Sequence, residues 1–379
     1  MAVVGGGVVG CAVAHALARR GVECVLLEAD TGLALSASGT NSGIMHTGFD
    51  SHPGELETQL IVRAAELRER LLGELGIEPL RCGARLRPAG PEQQAAVVAL
   101  AENAARNGVA VTLESDGSLR VPGEAVVDPV AYVHALAAAA RDGGASIRLG
   151  ARVEGLRAGE GGIAVAIDGA RELEFAAVVN CAGLRADEVA RLAGDEPVEV
   201  YPRKGEFLVF APADGERLTE ILLPVPSALG KGVLVFPTTD GHVIAGPTAR
   251  EREDKDDWSV EADAGALILE RARAMYPPLR RCEPVGAYAG LRPAGRGANY
   301  VIAHSRAISG VVHVAAIRST GLSASLAIGE HVAAMLDGVA GVELGEEREL
   351  AAAEPAGAPQ AWWERAARHH QHTREETQT

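Results

Sequence analysis

The chain has very little lysine. Among its 379 residues, lysine occurs only at Lys204, Lys231 and Lys255, whereas arginine is abundant. The formal net charge is −15, so the surface as a whole repels nucleic acids and anionic membranes. We therefore expect no nucleic-acid partner. A lysine kept in so arginine-rich a chain is a candidate for a role that arginine cannot fill.

Cysteine motifs and long apolar runs are also missing. No apolar run reaches the length that spans a membrane, and no secretory signal precedes the first apolar stretch. The cysteines form no C-x-x-C pair and have no metal-binding spacing. We expect reduced thiols in a cytoplasmic protein without an integral membrane segment, and no bound metal. The five cysteines are Cys11, Cys24, Cys82, Cys181 and Cys282.

The first thirty residues predict a nucleotide-binding βαβ unit. The apolar run Ala2–Val4 enters a G-x-G-x-x-G motif at Gly5, Gly7 and Gly10; a helical pattern follows, and a second apolar run ends on Glu28. Such glycines permit a tight turn and bring the backbone close to a pyrophosphate, for which the helix N-terminus supplies N–H groups. The carboxylate after the second strand is placed to accept a hydrogen bond from a ribose hydroxyl.

A polar, glycine-containing loop follows between Ser36 and Gly48. Hydroxyl groups and glycines in such a run can approach a flat polar ligand closely. Together with the dinucleotide motif, the segment N-S-G-I-M-H-T-G-F-D from Asn41 resembles the amino-acid-oxidase-like FAD-dependent oxidoreductases. Within them it most resembles the glycerol-3-phosphate oxidase/dehydrogenase and L-2-hydroxyglutarate dehydrogenase branch. The resemblance implies FAD as the cofactor.

Further motifs of this branch follow along the chain, at residues 178–183, 203–206, 230–233, 241–248, 288–293 and 317–325. The last of them ends a strand and opens a helix, whose N-terminus would stabilise negative charge on a reduced flavin. The cofactor contacts that the glycine motif and the resemblance imply are Gly5, Gly7, Val8, Val9, Gly10, Glu28, Ala29, Ser38, Thr40, Asn41, Ser42, Gly43, Val153, Ala182, Gly183, Gly290, Arg292, Ser319, Gly321, Leu322 and Ser323.

The resemblance also implies the catalytic residues. The loop histidine of the branch lies beside the substrate carbinol, which gives His46 the role of base, with a structural histidine as the alternative. Arg292 and Arg318 occupy positions that bind phosphate or carboxylate, although phosphate-oxidising relatives often have lysine at position 318. A salt bridge at the domain junction is the alternative for Arg292. Lys231 matches a lysine near flavin and substrate, and Lys204 is a second candidate with a structural alternative.

We expect an α/β fold (α+β overall) with a Rossmann-like FAD-binding domain and an inserted antiparallel-sheet substrate domain. The predicted division is residues 1–80, 128–197 and 286–340 for the FAD-binding domain, 81–127 and 198–285 for the substrate domain, and 345–379 for a terminal tail. The charged stretch 251–257 is interpreted as a solvated loop. The tail is expected to form a helix and a frayed end, where His369, His370 and His372 have no supporting metal-binding pattern.

The predicted reaction is FAD-dependent oxidation of a small anionic 2-hydroxy compound. We favour sn-glycerol 3-phosphate, oxidised to dihydroxyacetone phosphate by hydride transfer to flavin N5. L-2-Hydroxyglutarate is the alternative substrate, followed by an amino acid or amine. A non-catalytic flavin-binding subunit is a further alternative, suggested by the short first strand and an abbreviated segment before Pro129. The electron acceptor, which is oxygen, a quinone or a carrier protein, and the oligomeric state are left open.

Overall fold

The computed structural model describes residues 1–168, 171–211, 217–226, 232–350, 361–365 and 367–368. The helices of this part are α1 (Val8–Arg19), α2 (Leu56–Glu74), α3 (Pro91–Arg106), α4 (Pro129–Asp142), α5 (Ala186–Leu192), α6 (Ala262–Met275) and α7 (Gly321–Leu336), with 3-10 turns at Gly183–Arg185, Pro277–Arg281 and Val339–Gly341. Its strands are β1 (Ala2–Val4), β2 (Val25–Leu27), β3 (Ile44–Met45), β4 (Ala84–Leu86), β5 (Thr112–Leu113), β6 (Leu119–Val121), β7 (Ala125–Val126), β8 (Ser146–Arg148), β9 (Val153–Ala158), β10 (Ile163–Ile167), β11 (Arg171–Phe175), β12 (Val178–Asn180), β13 (Val200–Phe210), β14 (Ile221–Leu223), β15 (Leu234–Pro237), β16 (Val243–Gly246), β17 (Arg250–Glu251), β18 (Pro284–Gly295), β19 (Val301–His304) and β20 (Val311–Ala315).

The opening βαβ unit lies in a six-stranded sheet of the described residues, with the order β19-β20-β12-β1-β2-β8. The pairs that join β8, β2, β1, β12 and β20 are all parallel, and β19 is antiparallel to β20. Helices α1, α4 and α7 pack together in its core. Gly329 lets α7 approach α1 closely, because a Cβ there would lie 2.6 Å from Ala12 O. This is the predicted Rossmann-like layer, and the α/β fold class is confirmed.

A second, nine-stranded sheet of the described residues has the order β17-β13-β16-β15-β14-β4-β6-β5, with β18 also paired to β13. Its strand pairs are antiparallel except that β4 and β14 run parallel. The long strands β13 and β18 pair along almost their whole length, with Arg203 opposite Arg292. This register brings residues 89 positions apart in sequence side by side on one face.

Two smaller ladders complete the sheets of the described residues. Strands β9, β10 and β11 form an antiparallel three-stranded sheet. The short strands β3 and β7 pair antiparallel, with Ile44 opposite Val126 and Met45 opposite Ala125. The β3–β7 ladder carries the loop of His46 to the segment just before α4. Helix α4 begins at Pro129, because the Asp128 carboxylate caps the N–H groups of Val130 and Ala131.

The tail contains a helix, as expected, but the sequence interpretation did not predict that it is buried. Residues 362–365 are helical, and Trp362 and Trp363 are only 2% and 7% exposed. Both pack in the core of the nine-stranded sheet, where the Trp362 ring meets Tyr288 edge-on with centroids 5.5 Å apart. Gly286 leaves room for Trp363, because a Cβ there would lie 2.6 Å from its ring. The three tail histidines lie outside the described residues.

Candidate active site

The glycine motif forms the floor of a cleft. Gly5 has φ +107°, and a Cβ on it would overlap the carbonyl oxygen of Cys181 at the end of β12. A Cβ on Gly10 would overlap Gly5 O. Gly7 is the N-cap of α1, whose first turn contains no acidic residue. The loop therefore brings bare backbone and the positive end of α1 to one place, which is a cradle for a diphosphate.

The cleft above this loop has a volume of about 720 Å³, the size of a cofactor site. Glu28 lies on its wall, where its carboxylate accepts hydrogen bonds from the N–H groups of Gly6 and Asp30. Burial raises the pKa of Glu28, although these N–H groups oppose the shift. The predicted cofactor residues that line this cleft are Gly5, Gly7, Glu28, Ala29, Ser38, Val153, Ala182 and Gly183.

A smaller cavity adjoins the cleft and shares Gly7, Ser38 and Gly183 with it. The predicted cofactor and catalytic residues that line it are Gly7, Val8, Val9, Ser38, Asn41, Gly183, Arg292, Arg318, Ser319, Gly321 and Leu322. The two cavities thus run from the acidic end of β2, past the N-terminus of α1, to the N-terminus of α7.

Other predicted cofactor residues lie behind these walls. Gly43 and Gly290 allow close backbone approach, since a Cβ on Gly43 would overlap Val127 O and one on Gly290 would lie 2.9 Å from Thr40 O. The Thr40 hydroxyl donates to backbone carbonyls within its own loop. The hydroxyl of Ser42 accepts from Ile44 N at 3.4 Å. Their placement supports the shape of the loop; direct contact with a cofactor stays a prediction.

His46 is held from several sides. Its N–H donates to the Ser323 hydroxyl in the first turn of α7 at 2.8 Å, and its carbonyl accepts from the buried Arg68 at 2.7 Å. The ring nitrogen Nδ1 lies 2.8 Å from Oε2 of Glu124, which is fully buried. The His46 side chain itself is 23% exposed. The structure therefore attaches His46 to the same helix terminus that follows Arg318.

The sequence interpretation missed Glu124 and Arg68. The sequence pattern around each of them indicates a buried charge. Glu124 is a single acid between glycine and the apolar stretch Ala125–Val126. Arg68 interrupts the apolar face of α2, four residues after Ala64 and four before Leu72. A charge in an otherwise apolar pattern indicates a buried, partnered group.

Arg292 is a partly buried cation that binds no carboxylate in the described residues. Its guanidinium donates to the backbone carbonyls of Arg203, Lys204 and Thr248 at 3.1, 3.2 and 2.6 Å. It lies across Gly205, where a Cβ would overlap Arg292 Nη2. Burial, together with the like charges of Arg203 and Arg318, lowers the pKa of Arg292 to about 10. The salt bridge considered from the sequence is therefore absent for Arg292 in the described residues.

Two further arginines, Arg203 and Arg318, lie near Arg292. Arg318 lies 3.5 Å from a carboxylate oxygen of Glu57, which also accepts from Thr320 and Asn299. Arg203 lies directly opposite Arg292 across the β13–β18 ladder, and its buried Nε has no hydrogen-bond partner in the described part of the chain. Like charges placed directly opposite each other destabilise a ladder unless an anion compensates them, and Glu251 of β17 lies opposite Arg203 on its other side. We call Arg203, Arg292 and Arg318 the arginine cluster.

Lys204 is not part of this cluster. It is fully buried, and its Nζ lies 2.8 Å from both Asp257 Oδ2 and Ser259 Oγ. The structural alternative for Lys204 therefore fits, and contact with a substrate anion does not. Lys231 lies outside the described residues.

The charged stretch 251–257 is mostly exposed loop, as the sequence predicted, but ion pairs also connect it to other elements of the fold. We call residues 250–261 the strap. It pairs with β13 through β17, and Lys255 lies 2.7 Å from Asp187 and 3.0 Å from Glu188 of α5. Lys255 and Asp256 line the larger cleft. The ion pairs of Lys255 with the acids of α5 therefore connect the strap to a helix that is distant in sequence.

Comparison with known proteins settles the family. The family model described as FAD dependent oxidoreductase matches residues 1–335. The chain belongs to this FAD-dependent oxidoreductase family. It is 28% identical, over 90% of its length and 74% of the relative, to a glycerol 3-phosphate dehydrogenase of Caloramator mitchellensis. It is 27% identical to the L-2-hydroxyglutarate dehydrogenase of Escherichia coli K12, over 68% of this chain and 66% of that relative.

A solved structure agrees with the fold. L-alpha-glycerophosphate oxidase from Mycoplasma pneumoniae, dithionite reduced with FAD bound, superposes with a TM-score of 0.84 at 24% identity, covering 92% of this chain and 96% of that one. The cofactor of this oxidoreductase is FAD, and the bare glycine loop, the α1 N-terminus and Glu28 fit a flavin dinucleotide.

Two features are absent from the described residues. No helix there combines the length and apolarity needed to cross a bilayer. No group of three or more histidine, cysteine, aspartate or glutamate side chains could hold a metal ion in that part of the chain.

Proposed function

We propose that this oxidoreductase oxidises sn-glycerol 3-phosphate to dihydroxyacetone phosphate. The observation that carries the proposal is Arg292, a partly buried cation on the cavity wall that meets carbonyls and other arginines but no carboxylate, in a chain of net charge −15. An unpaired buried cation is costly unless an anion binds it. The bound anion would be the substrate's own phosphate.

The proposed oxidation requires a hydride acceptor, a base, and a group that stabilises negative charge. Bound FAD supplies the acceptor of the hydride that leaves C2 of the substrate. His46 takes the proton of the C2 hydroxyl, for which a neutral imidazole is suited near neutral pH. The N-terminus of α7, with no acidic residue in its first turn, favours negative charge at the electron-accepting end of the site.

Arg292 and Arg318 hold the phosphate in this proposal, and Arg203 contributes a third positive charge. Guanidinium groups bind phosphate oxygens in pairs of parallel hydrogen bonds. The three arginines form one cluster, which fits one anionic group of high charge better than the two separated carboxylates of L-2-hydroxyglutarate. Lys231 remains a proposed contact with substrate or flavin on the resemblance alone.

The relatives support the same order of preference. The glycerol 3-phosphate dehydrogenase matches 90% of this chain, whereas the L-2-hydroxyglutarate dehydrogenase matches 68%. L-2-Hydroxyglutarate is the second candidate, favoured by arginine rather than lysine at position 318. We also infer a cytoplasmic location from the five unpaired cysteines.

Anaerobic stopped-flow reduction of the purified holoenzyme tests the proposal. We expect sn-glycerol 3-phosphate to bleach the flavin absorbance faster than L-2-hydroxyglutarate or glycine. Faster reduction by L-2-hydroxyglutarate would transfer the assignment to that acid, and reduction by glycine would indicate amine oxidation. Full-strength flavin absorbance without reduction by any of them would favour a non-catalytic subunit. Reoxidation by oxygen, with peroxide formation, or by a quinone dye then identifies the acceptor class.

The role of His46 has its own test. The H46Q variant is expected to lose about 100- to 10,000-fold in flavin reduction rate, because general base catalysis contributes about that much. A full reduction rate in H46Q would remove the histidine from the mechanism.

A further inference from the structure

Glu124 is a fully buried carboxylate with three contacts in one loop. Its Oε2 lies 2.8 Å from Nδ1 of His46. Its Oε1 accepts from the backbone N–H of Thr47 at 2.7 Å and from the Thr47 hydroxyl at 2.9 Å. Glu124 has no exposed surface. All of its contacts therefore serve the loop that carries the proposed base.

The β3–β7 ladder explains why these residues meet. Ile44 pairs with Val126 and Met45 with Ala125. One step further along the same antiparallel register, His46 faces Glu124. The pairing is a property of the backbone, so the contact does not depend on a flexible loop reaching across the site.

Arg68 supplies a counter-charge from α2. It is 6% exposed, and it donates to the carbonyls of Met45, His46 and Gly123, which flank both partners of the pair. Burial lowers the pKa of Arg68, and the negative charge of Glu124 opposes that shift. A buried cation beside a buried acid favours the ionised form of each. The groups that face His46 are thus an acid from the β7 side, a cation from α2 and the Ser323 hydroxyl from α7.

We propose that Glu124 is the positioning residue of His46: it holds the proton on Nδ1, so that Nε2 presents its lone pair to the substrate hydroxyl, and it stabilises the imidazolium formed when that proton is taken. The proposal rests on the proposed role of His46 as base. A base whose second nitrogen is fixed by a carboxylate has one tautomer and one ring orientation, which is the logic of the serine-protease triad. Glu124 itself touches no substrate.

The kinetic test is the E124Q holoenzyme, reduced anaerobically by sn-glycerol 3-phosphate between pH 5 and 9. We expect the limiting reduction rate to fall about 10- to 100-fold, a part of what the base contributes, while the apparent substrate dissociation constant stays within about threefold. Loss of the neighbouring negative charge destabilises the imidazolium, so the acid limb of the rate profile should move to lower pH. E124D, which keeps the charge, should keep the acid limb at the wild-type pH.

D195N is the matched control. Asp195 is another buried acid beside a histidine, with Oδ2 3.5 Å from Nε2 of His313 in the six-stranded sheet. Its rate profile should follow the wild type. An E124Q profile that also follows the wild type, or an E124D profile that shifts as E124Q does, would overturn the proposal.

A second readout does not require turnover. In the 15N-histidine-labelled holoenzyme, the signal lost in H46Q identifies His46. We expect that signal to report a protonated Nδ1 and an unprotonated Nε2 in the neutral ring, and E124Q to mix the two tautomers. An Nε2-protonated ring in the wild type would overturn the proposal. If sn-glycerol 3-phosphate fails to reduce the wild type, the proposed function fails, and this spectrum still decides the role of Glu124.

Discussion

Basic side chains lie on both faces of β13, and their surroundings differ. Neighbouring residues of a strand point to opposite faces, so Arg203 and Lys204 mark the two sides. On the strap side, Lys204 lies 2.8 Å from Asp257, and Lys255 farther along lies 2.7 Å from Asp187. On the other side, Arg292 meets only carbonyls and its closest charges are arginines.

The contrast separates charges that stabilise the fold from charges that are available to bind a ligand. A buried pair contributes when both partners are present, and removing one leaves the other uncompensated. A buried cation without a partner weakens the fold and persists where function requires it. Variants of the strap should therefore lose stability and keep substrate binding. Variants of Arg292 should lose substrate binding and keep stability.

The largest effect is expected for R292M. Removing a buried partner of a charged group takes away about 2–5 kcal/mol of binding, so kcat/KM for sn-glycerol 3-phosphate should fall about 30- to 5,000-fold. The melting temperature should stay within about 3 °C, because like-charge repulsion in the cluster is relieved. Steady-state kinetics and thermal unfolding measure the two effects.

The control is R296M, which removes an exposed arginine that is paired with Glu199 and Glu253; this variant should retain activity. A large loss of stability without loss of affinity in R292M would contradict the contrast.

A subtler change moves the Arg292 guanidinium without removing it. In G205A the new Cβ overlaps Arg292 Nη2, the end of a flexible side chain, and lies 2.8 Å from Pro247 Cβ. We expect KM to rise about tenfold, the equivalent of one displaced charged hydrogen bond, and kcat to change little. G265A, in α6 with nothing within 4 Å of an added Cβ, is the matched control. An unchanged KM in G205A would mean that the observed position of Arg292 is not the one that binds substrate.

On the strap side of β13, the K204M substitution should lower the stability of the fold. It leaves Asp257 without its lysine, and we expect a loss of about 2 kcal/mol in the free energy of unfolding at pH 7, with kcat/KM within about threefold. Burial alone would raise the pKa of Asp257, but hydrogen bonds from Lys204 and Ser259 outweigh it and hold the pKa at about 2. A depressed pKa stabilises the fold above the ordinary value, and that contribution is lost as pH falls from about 4 to about 2. Urea unfolding at pH 7 and pH 3 should therefore show the wild-type advantage shrinking in acid.

The sequence reveals the local parts of this molecule. The βαβ unit is contiguous, so Gly5, Gly7, Gly10 and Glu28 can be assigned from the order of residues alone, and the cleft forms around them. The cap of α4 at Asp128 is equally local. Such features depend on neighbours within a few residues, which the sequence displays directly.

The remaining parts depend on long-range register. Glu124 meets His46 across 78 positions because β3 pairs with β7. Arg203 meets Arg292 across 89 positions because β13 pairs with β18. The exposure of the strap can be predicted from its charged sequence, but its ion pairs with α5 depend on an element distant in the chain. Trp362 was missed for the same reason, since the sheet that buries it lies far earlier in the chain.

The smallest predicted effect concerns the strap as a wall of the cofactor cleft. Lys255 ties the strap to Asp187 and Glu188 of α5 while lining the cleft, so K255M should loosen that wall. We expect the FAD dissociation constant to rise about two- to fivefold, since partly exposed ion pairs contribute up to about 1 kcal/mol. Titration of the apoprotein with FAD, followed by quenching of flavin fluorescence, measures it. The difference in FAD affinity between K255M and the wild type should shrink in high salt, because added ions screen the pair.

The control is R271M, which removes an exposed charge on α6 and should bind FAD as the wild type does. Equal affinity of K255M and wild type at low salt would assign the strap to fold stability alone.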